Sequence, residues 1–296
     1  MGVYEQIESN RRKSMLLIVF FIFFISFIGY LLGIYYGSQE TGTIITAIAG
    51  VFAIVIVLVQ YYNGDKFILR MSGVREPTKQ ENAYLINTVE GLAIAAGVPK
   101  PKIYIIEDTA PNAFATGRDP QHSSMVFTTG ILQKLKRDEL EGVVAHEMSH
   151  IKNYDIRYMM LIVALVAVIT VIADMFWRMS FRGSGDRKGK SAGIMIAIAL
   201  FLMIISPIIA QLVKLAASRK REFLADADGA LLTRYPDGLA KALEKLEKDT
   251  EPLEVANKGT AHLYIVNPLK DHKGWLNNLF DSHPPIEERI KRLREM

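Results

Sequence analysis

Two long apolar runs constrain this chain more than any other feature of its 296 residues. Residues 15–36 and 41–62 each hold about 22 residues without a charge, and a helix of about 20 residues crosses a bilayer core. Basic residues flank the outer ends of the pair, whereas Glu40 is the one charge between the runs. Because cytoplasmic flanks are rich in Lys and Arg, the sequence predicts a transmembrane helical hairpin whose outer ends lie in the cytoplasm.

A second apolar pair, residues 158–173 and 191–213, gives a weaker signal. Asp174 follows the first run, Pro207 interrupts the second, and the link between them is basic. A basic link on the outer side conflicts with the positive-inside rule, so either the first hairpin sets the orientation or the second pair only dips into the membrane. We expect the second pair to span, which gives four transmembrane helices.

Composition excludes several classes of protein. Cysteine is absent, so the chain has no disulfide framework, no thiolate metal site and no cysteine nucleophile. The formal net charge is +4, and the basic excess lies beside the apolar runs. Charge in that position is typical of membrane-flanking segments, so we expect contact with the lipid bilayer and no binding of nucleic acid.

The polar regions between and after the apolar pairs carry the signals of a small mixed domain. β-branched and aromatic residues bounded by turn residues predict short strands within 99–108 and 125–129. Apolar residues at a helical period predict a helix over 134–157 and an amphipathic helix over 237–248. These elements indicate an α+β domain with a small sheet.

The motif His146-Glu147-Met148-Ser149-His150 carries the clearest chemistry. On a helix, His146 and His150 lie four residues apart on one face, so both imidazoles can bind one cation. Glu147 can accept the proton of an activated water, as the general base of a metalloprotease does. The sequence therefore predicts a zinc site with Glu147 as its base.

A catalytic zinc needs a third protein ligand and an open fourth position. No histidine follows His150 closely, and Glu222 is the best candidate for the third ligand. Asp226 lies one helical turn after Glu222, where its carboxylate can accept the spare N–H of a ligating histidine. Three ligands and a base favour catalysis, with one Zn²⁺ per subunit, over a structural zinc in a membrane scaffold or chaperone, which is the alternative.

The chain resembles the HtpX family of membrane zinc metalloproteases, relatives of the CAAX prenyl protease. The resemblance rests on motifs whose order and spacing cover nearly the whole chain: H-E-M-S-H at 146–150, E-F-L-A-D at 222–226, N-A-F-A-T-G at 112–117, T-T-G-I-L at 128–132 and H-P-P at 283–285, followed by Arg289. Ser282 departs from the threonine that the family pattern has at this place.

The resemblance implies roles for further residues. His146, His150 and Glu222 are implied as metal ligands, and His283 and Arg289 are implied to lie where a donor could stabilise a tetrahedral oxyanion. Asn112, Ala113, Phe114 and Ala115 resemble the edge strand that receives substrate, because extended peptides bind sheet edges through the main chain. His283 has an ordinary alternative, since it precedes Pro284 and can simply lie at the entry to a helix.

The resemblance also implies an activity and a place in the cell. We expect a zincin-like catalytic domain in a mostly helical α+β membrane protein, acting as a zinc metalloendopeptidase on membrane or misfolded proteins in quality control. It would be a multi-pass protein of the cell membrane with its active site in the cytoplasm. The expected segments are the first hairpin, the first catalytic part, the second hairpin and the second catalytic part, over 1–62, 63–157, 158–213 and 214–296.

Two further classes compete with this interpretation. An intramembrane protease of the site-2 type would hold its motif at lipid depth, but charged residues surround His146 and His150 here. A transporter would show repeated spans and buried charges, and Asp174 is the one candidate for such a charge. Both ends of the metal site, His150 and Glu222, lie within about ten residues of the second apolar pair, which predicts a site near the membrane surface. The sequence predicts no oligomeric state.

Overall fold

The structure is a computed structural model that describes residues 3–36, 38–163, 219–256, 260–269 and 284–296. Residues 155–163 are helical, and most of the second apolar pair lies outside the described residues, so its spanning stays a prediction. In chain order the elements are α1 (Val3–Tyr36), α2 (Gln39–Met71), α3 (Ala83–Ala96), β1 (Lys102–Ile106), β2 (Ala113–Asp119), β3 (His122–Thr128), α4 (Thr129–Lys134), α5 (Arg137–Lys152), α6 (155–163), α7 (Arg219–Thr233), α8 (Pro236–Lys248) and α9 (Ile286–Arg294), with a 3₁₀ turn at Ala261–Leu263 between α8 and α9.

Helices α1 and α2 form the predicted first hairpin. Small residues let them touch: a Cβ on Gly33 would lie 2.6 Å from Gly42 Cα, and a Cβ on Gly29 would lie 2.6 Å from Ala49 Cβ. Both helices are long and apolar enough to cross a membrane. In the most apolar 18-residue stretch of each helix, however, only 28% (α1) and 17% (α2) is buried. The core helix of a soluble protein is mostly buried, so this exposed apolar surface favours contact with lipid.

Helix α2 continues beyond the apolar run and enters the folded domain. Its last turns bury Ile68 and Leu69 in a cluster that also contains Phe114 of β2 and Met160 of α6. Gly64 lies against Met160, where a Cβ would be 3.1 Å from its side chain. The hairpin is thus packed into the domain core, because α2 carries apolar residues on both sides of the boundary at residue 62.

The sheet has three strands in the order β1-β3-β2. Strand β3 lies between β1, to which it is parallel, and β2, to which it is antiparallel. The strands predicted within 99–108 and 125–129 correspond to β1 and β3. Strand β2 lies at the edge, and Gly117 (φ 145) at its end permits a close approach to His122, whose carbonyl oxygen would lie 2.2 Å from an added Cβ.

The main core packs α3, α5, α8 and one face of the sheet together. Helix α5 is its centre, and 12 of its 16 residues are buried. Gly142 brings α8 against α5, since a Cβ at this position would lie 2.6 Å from Leu239 N. A helix so enclosed provides a rigid base for the two histidines that it carries.

The prediction of one continuous helix over 134–157 is wrong, because the helix is interrupted twice within that range. Leu135 is extended, and Glu139 caps the start of α5 by accepting a hydrogen bond from Lys136 N at 2.6 Å. At the other end Tyr154 adopts the left-handed region (φ 60) and turns the chain away from the α5 axis. Apolar residues continue at a helical spacing across both breaks. The breaks are stabilised by hydrogen bonds, which the spacing of apolar residues does not predict.

Candidate metal centre

His146 and His150 from α5 meet Glu222 from α7 in a buried cluster. The two Nε2 atoms are 3.2 Å apart, and Glu222 oxygens lie 3.7 Å from His146 Nε2 and 3.6 Å from His150 Nε2. Around a tetrahedral zinc ion with bonds of about 2.0–2.1 Å, ligand atoms are about 3.3 Å apart. The residues therefore fit a single zinc ion, and they are the one such group among the described residues that could hold a metal.

Close packing of α7 on α5 places Glu222 opposite the histidines. Gly229, two turns after Glu222, lies against the backbone of α5, where a Cβ would be 3.1 Å from His146 N. His146, His150 and Glu222 are 0%, 5% and 1% exposed. Because the spacing of the helices depends on a residue without a side chain, the ligand set depends on this tertiary contact.

Each histidine donates its other ring N–H to a carboxylate. His146 Nδ1 lies 3.0 Å from Oδ1 of Asp226. His150 Nδ1 lies 3.0 Å from Asp155 Oδ2. These bonds leave both Nε2 atoms for the metal, because the hydrogen-bonded nitrogen carries the proton.

Asp155 is the residue that sequence reasoning missed. It lies in the range predicted as one continuous helix, where the side chain five residues after His150 would point elsewhere. The left-handed Tyr154 brings it back to the histidine. The one signal in the sequence is Asn153-Tyr154 before the carboxylate, since Asn favours turns, and that signal is weak.

Arg289 is fully buried beside the candidate metal ligands. Its Nε and Nη2 donate to the two oxygens of Asp226 at 2.9 and 2.7 Å, and Nη1 donates to the Ile265 carbonyl at 3.2 Å and lies 3.5 Å from Glu222. Burial disfavours the charges, but Arg289 and His146 outweigh it and lower the pKa of Asp226. Arg289 thus lies beside the candidate ligands with its N–H groups on carboxylates, and its implied role at an oxyanion stays a prediction.

Glu147 lies between α5 and the outer edge of β2, where the Ala115 backbone N–H donates to its carboxylate. It is 2% exposed. Burial, with Glu222 nearby, raises the pKa of Glu147 to about 7, although His150 and Arg289 oppose the rise. A carboxylate with such a pKa can both accept and return a proton near neutral pH.

The two histidines differ in their electrostatics. Burial, helped by the charge of Arg289, lowers the pKa of His146, whereas the surroundings of His150 favour positive charge. Burial lowers the pKa of His150, but the bond to Asp155 and the charges of Glu222, Asp155 and Glu147 outweigh it and raise the pKa to about 9. The carboxylates that stabilise a proton on the imidazole also stabilise a divalent cation beside it. The site is therefore suited to a metal in charge as well as in geometry.

In the segment 112–115, the side chains of Asn112 and Phe114 pack against residues 264–266, which leaves the backbone as the part available to a substrate. Asn112 Nδ2 donates to the Val266 carbonyl at 3.1 Å, and the Phe114 ring lies 4.9 Å from that of Tyr264. The Ala113 carbonyl accepts from Ile265 N at 3.0 Å. Residues 260–269 thus cover the first part of the β2 edge, and the substrate-binding role stays a prediction, carried by the main chain from Ala115 onward. His283 lies outside the described residues, and its role also stays a prediction.

Known proteins are similar to this chain in sequence and in fold. The profile of Peptidase family M48 matches residues 79–296. A "Protease HtpX homolog" from Dictyoglomus thermophilum is 48% identical, with 99% of this chain and 94% of that protein covered. Another protein of that name, from Ligilactobacillus salivarius, is 43% identical, with 99% and 100% covered.

The chain belongs to peptidase family M48. The resemblance to the HtpX family is thereby confirmed. As an M48 member the chain is a metallopeptidase, with His146, His150 and Glu222 as its candidate metal ligands. The crystal structure of Ste24p from S. mikatae has a similar fold, with a TM-score of 0.56 at 20% identity, covering 98% of this chain and 67% of that one.

Proposed function

We propose that this M48 peptidase is a membrane-bound zinc endopeptidase that cleaves membrane or misfolded proteins from the cytoplasmic side. The observation that carries the proposal is the joint position of three ligands, one buried base and a sheet edge within one cluster. Only three protein ligands converge in the described part of the chain, which favours an open catalytic position over a structural zinc. The scaffold alternative has no such support.

The residues divide the work of peptide hydrolysis. A zinc ion, when bound, would supply Lewis-acid polarisation of the scissile carbonyl and of water. Glu147 accepts the proton of the attacking water and returns it to the leaving amine. Asp226 and Asp155 fix the imidazole tautomers, and Arg289 holds Asp226 through two parallel hydrogen bonds, which gives it a positioning role.

The edge of β2 offers a place for substrate. Peptides add to a sheet edge through main-chain hydrogen bonds, and Ala115 lies on this edge beside Glu147. The far end of β2 lies beside the end of the apolar run of α2: Arg118 Cζ is 5.2 Å from the Tyr62 ring, and Arg118 Nη1 donates to the Tyr62 carbonyl. A peptide paired with β2 would therefore run between the membrane surface and the base, which supports substrates that emerge from a membrane.

The experiment that tests this function is cleavage by the full chain purified in detergent. An unfolded soluble protein and a membrane protein serve as substrates, with and without a zinc chelator. We expect cleavage of both, loss of cleavage with the chelator and recovery on adding zinc. Zinc binding without any cleavage would instead favour the scaffold.

A further inference from the structure

The N-terminal helix reaches the outer partner of a metal ligand through Asn10. Asn10 lies in the polar first turns of α1 and is completely buried. Its Nδ2 donates to Asp155 Oδ1 at 2.6 Å and to the Asn153 carbonyl at 3.0 Å. Both partners are acceptors, so the orientation of the amide follows from them. Burying the amide nitrogen costs free energy unless it is hydrogen-bonded, and here its bonds join residues more than 140 positions apart.

These bonds hold the turn that returns the chain to His150. Tyr154 in this turn has φ 60, a costly conformation for a non-glycine residue that persists only where its surroundings impose it. Asn10 bonds the residues on both sides of Tyr154, and Arg11 lies over the tyrosine ring with Cζ 4.7 Å from its centre. Helix α1 thereby stabilises the conformation in which Asp155 reaches His150.

The two oxygens of Asp155 have different partners. Oδ2 accepts from His150 Nδ1 at 3.0 Å, and Oδ1 accepts from Asn10. The Arg221 guanidinium lies 3.9 Å from Oδ1, beyond a hydrogen bond, and supplies charge rather than direction. Among the contacts described for Asp155, the Asn10 amide is the one from outside α5 and α6 that orients the carboxylate plane, and hence the imidazole.

We propose that Asn10 is a positioning residue for the metal site, which orients His150 through Asp155 and couples the seating of the membrane hairpin to zinc affinity. The inference rests on the proposed zinc ligands. Coupling of this kind is reciprocal, so a hairpin displaced from the domain would weaken zinc binding, and bound zinc would stabilise the docked hairpin. The membrane anchor is then part of the metal site and more than a tether.

The test is a double-mutant cycle on the full chain in detergent, read out as zinc affinity against a chelator of known strength. Loss of an outer partner of a ligating histidine typically weakens metal binding about 10- to 100-fold. We expect Asp155→Asn to fall in that range and Asn10→Ala to weaken zinc binding about tenfold. If Asn10 acts through Asp155, adding Asn10→Ala to Asp155→Asn should cost less than about twofold more.

The control is Ser14→Ala, a buried polar position one turn further along α1, which should leave zinc affinity unchanged. If Asn10→Ala is too unstable to purify, Asn10→Ser keeps a hydroxyl but cannot reach Asp155, and the same loss is expected. Parent-like zinc affinity in the Asn10 variant, or an equal loss in both backgrounds, would overturn the coupling alone. A parent chain that binds no zinc would overturn the proposed zinc site with it.

Discussion

At the residue scale, the candidate metal ligands and the proposed base, Glu147, lie in different surroundings. Glu147 is adjacent to His146 in sequence, yet its carboxylate turns toward β2 and accepts from Ala115, whereas Glu222 lies within 4 Å of both histidines. Two buried glutamates in one cluster thus have different environments, and we propose different roles for them. Substitution distinguishes them.

Glu147→Gln should abolish cleavage while the chain keeps its zinc. The amide fills the same volume and can still face Ala115, but it cannot accept a proton, so kcat should fall by at least about 10²-fold. Metal analysis and an activity assay on the same sample check both parts. Loss of zinc from this variant would instead place Glu147 among the ligands.

Glu222→Ala should reduce zinc content and cleavage together, because it removes one of three ligands and leaves Arg289 close to two histidines without that carboxylate. Titration with a zinc-binding dye measures the first effect. Glu244→Ala, a half-exposed glutamate on α8, is the matched control and should keep both. Full zinc content in Glu222→Ala would remove this residue from the site.

Ionisation of the buried Tyr264 should lower the free energy of unfolding at alkaline pH. Burial raises the pKa of Tyr264 to about 12, above its ordinary value near 10, so the folded state keeps a proton that the unfolded chain releases. The stability that the protonated side chain contributes is fully present below about pH 10. It is lost as the pH rises to about 12, and the loss amounts to at most about 3 kcal/mol. Melting temperatures between pH 8 and 11 should fall less steeply for Tyr264→Phe, and equal slopes would contradict the prediction.

At the scale of elements, function depends on how closely helices approach one another. Helix α7 lies on α5 at Gly229, and α8 lies on α5 at Gly142, so α5 is held on two sides by backbone contacts. The histidines are brought together by α5 alone, since they are four residues apart. Glu222, the candidate third ligand, comes close to them only through the spacing between α5 and α7.

Gly229→Ala should weaken zinc binding and lower the melting temperature. The added Cβ would lie 3.1 Å from His146 N, and a methyl group forced into a packed core costs about 1–3 kcal/mol. Gly91→Ala on α3 is the control, because nothing lies within 4 Å of its Cβ, and it should stabilise the protein by up to about 1 kcal/mol. Equal effects of the two changes would show that α7 adjusts freely on α5.

At the scale of the whole molecule, the hairpin and the catalytic domain share elements. Helix α2 is apolar where it faces outward and then supplies Ile68 and Leu69 to the domain core, while α1 reaches Asp155 through Asn10. This arrangement places the candidate metal site at the end of the hairpin where α1 begins and α2 ends. Gln39, at the start of α2, lies at the opposite end of the hairpin.

Orientation can be tested with single cysteines, because the chain has none of its own. We expect Gln39→Cys to be labelled by an impermeant reagent from outside intact cells, and Thr250→Cys only after the membrane is opened. Both side chains are exposed, so lack of access to the thiol does not limit labelling. The reverse pattern would invert the proposed topology, and labelling of both from one side would show that the hairpin does not cross.

The sequence alone determined the features that depend on neighbouring residues. Uncharged runs of membrane length, two histidines one turn apart and Glu147 between them need only helical geometry, and β1 and β3 follow from short β-branched segments between turn residues. Glu222 and Asp226 were predicted because the zinc motif called for a third ligand and a histidine partner, although the distance between α5 and α7 was not. The edge strand β2 was predicted only by resemblance to a known family.

Tertiary structure decided what depends on contacts between distant segments. Tyr154 takes a left-handed conformation between two residues that are bonded by Asn10, 144 positions earlier, and that turn brings Asp155 to His150. The spacing of apolar residues along the chain does not predict such a break. The free-energy cost of the left-handed residue is offset by hydrogen bonds from another helix. The same holds for Arg289, whose guanidinium is buried because Asp226, Glu222 and the Ile265 carbonyl surround it.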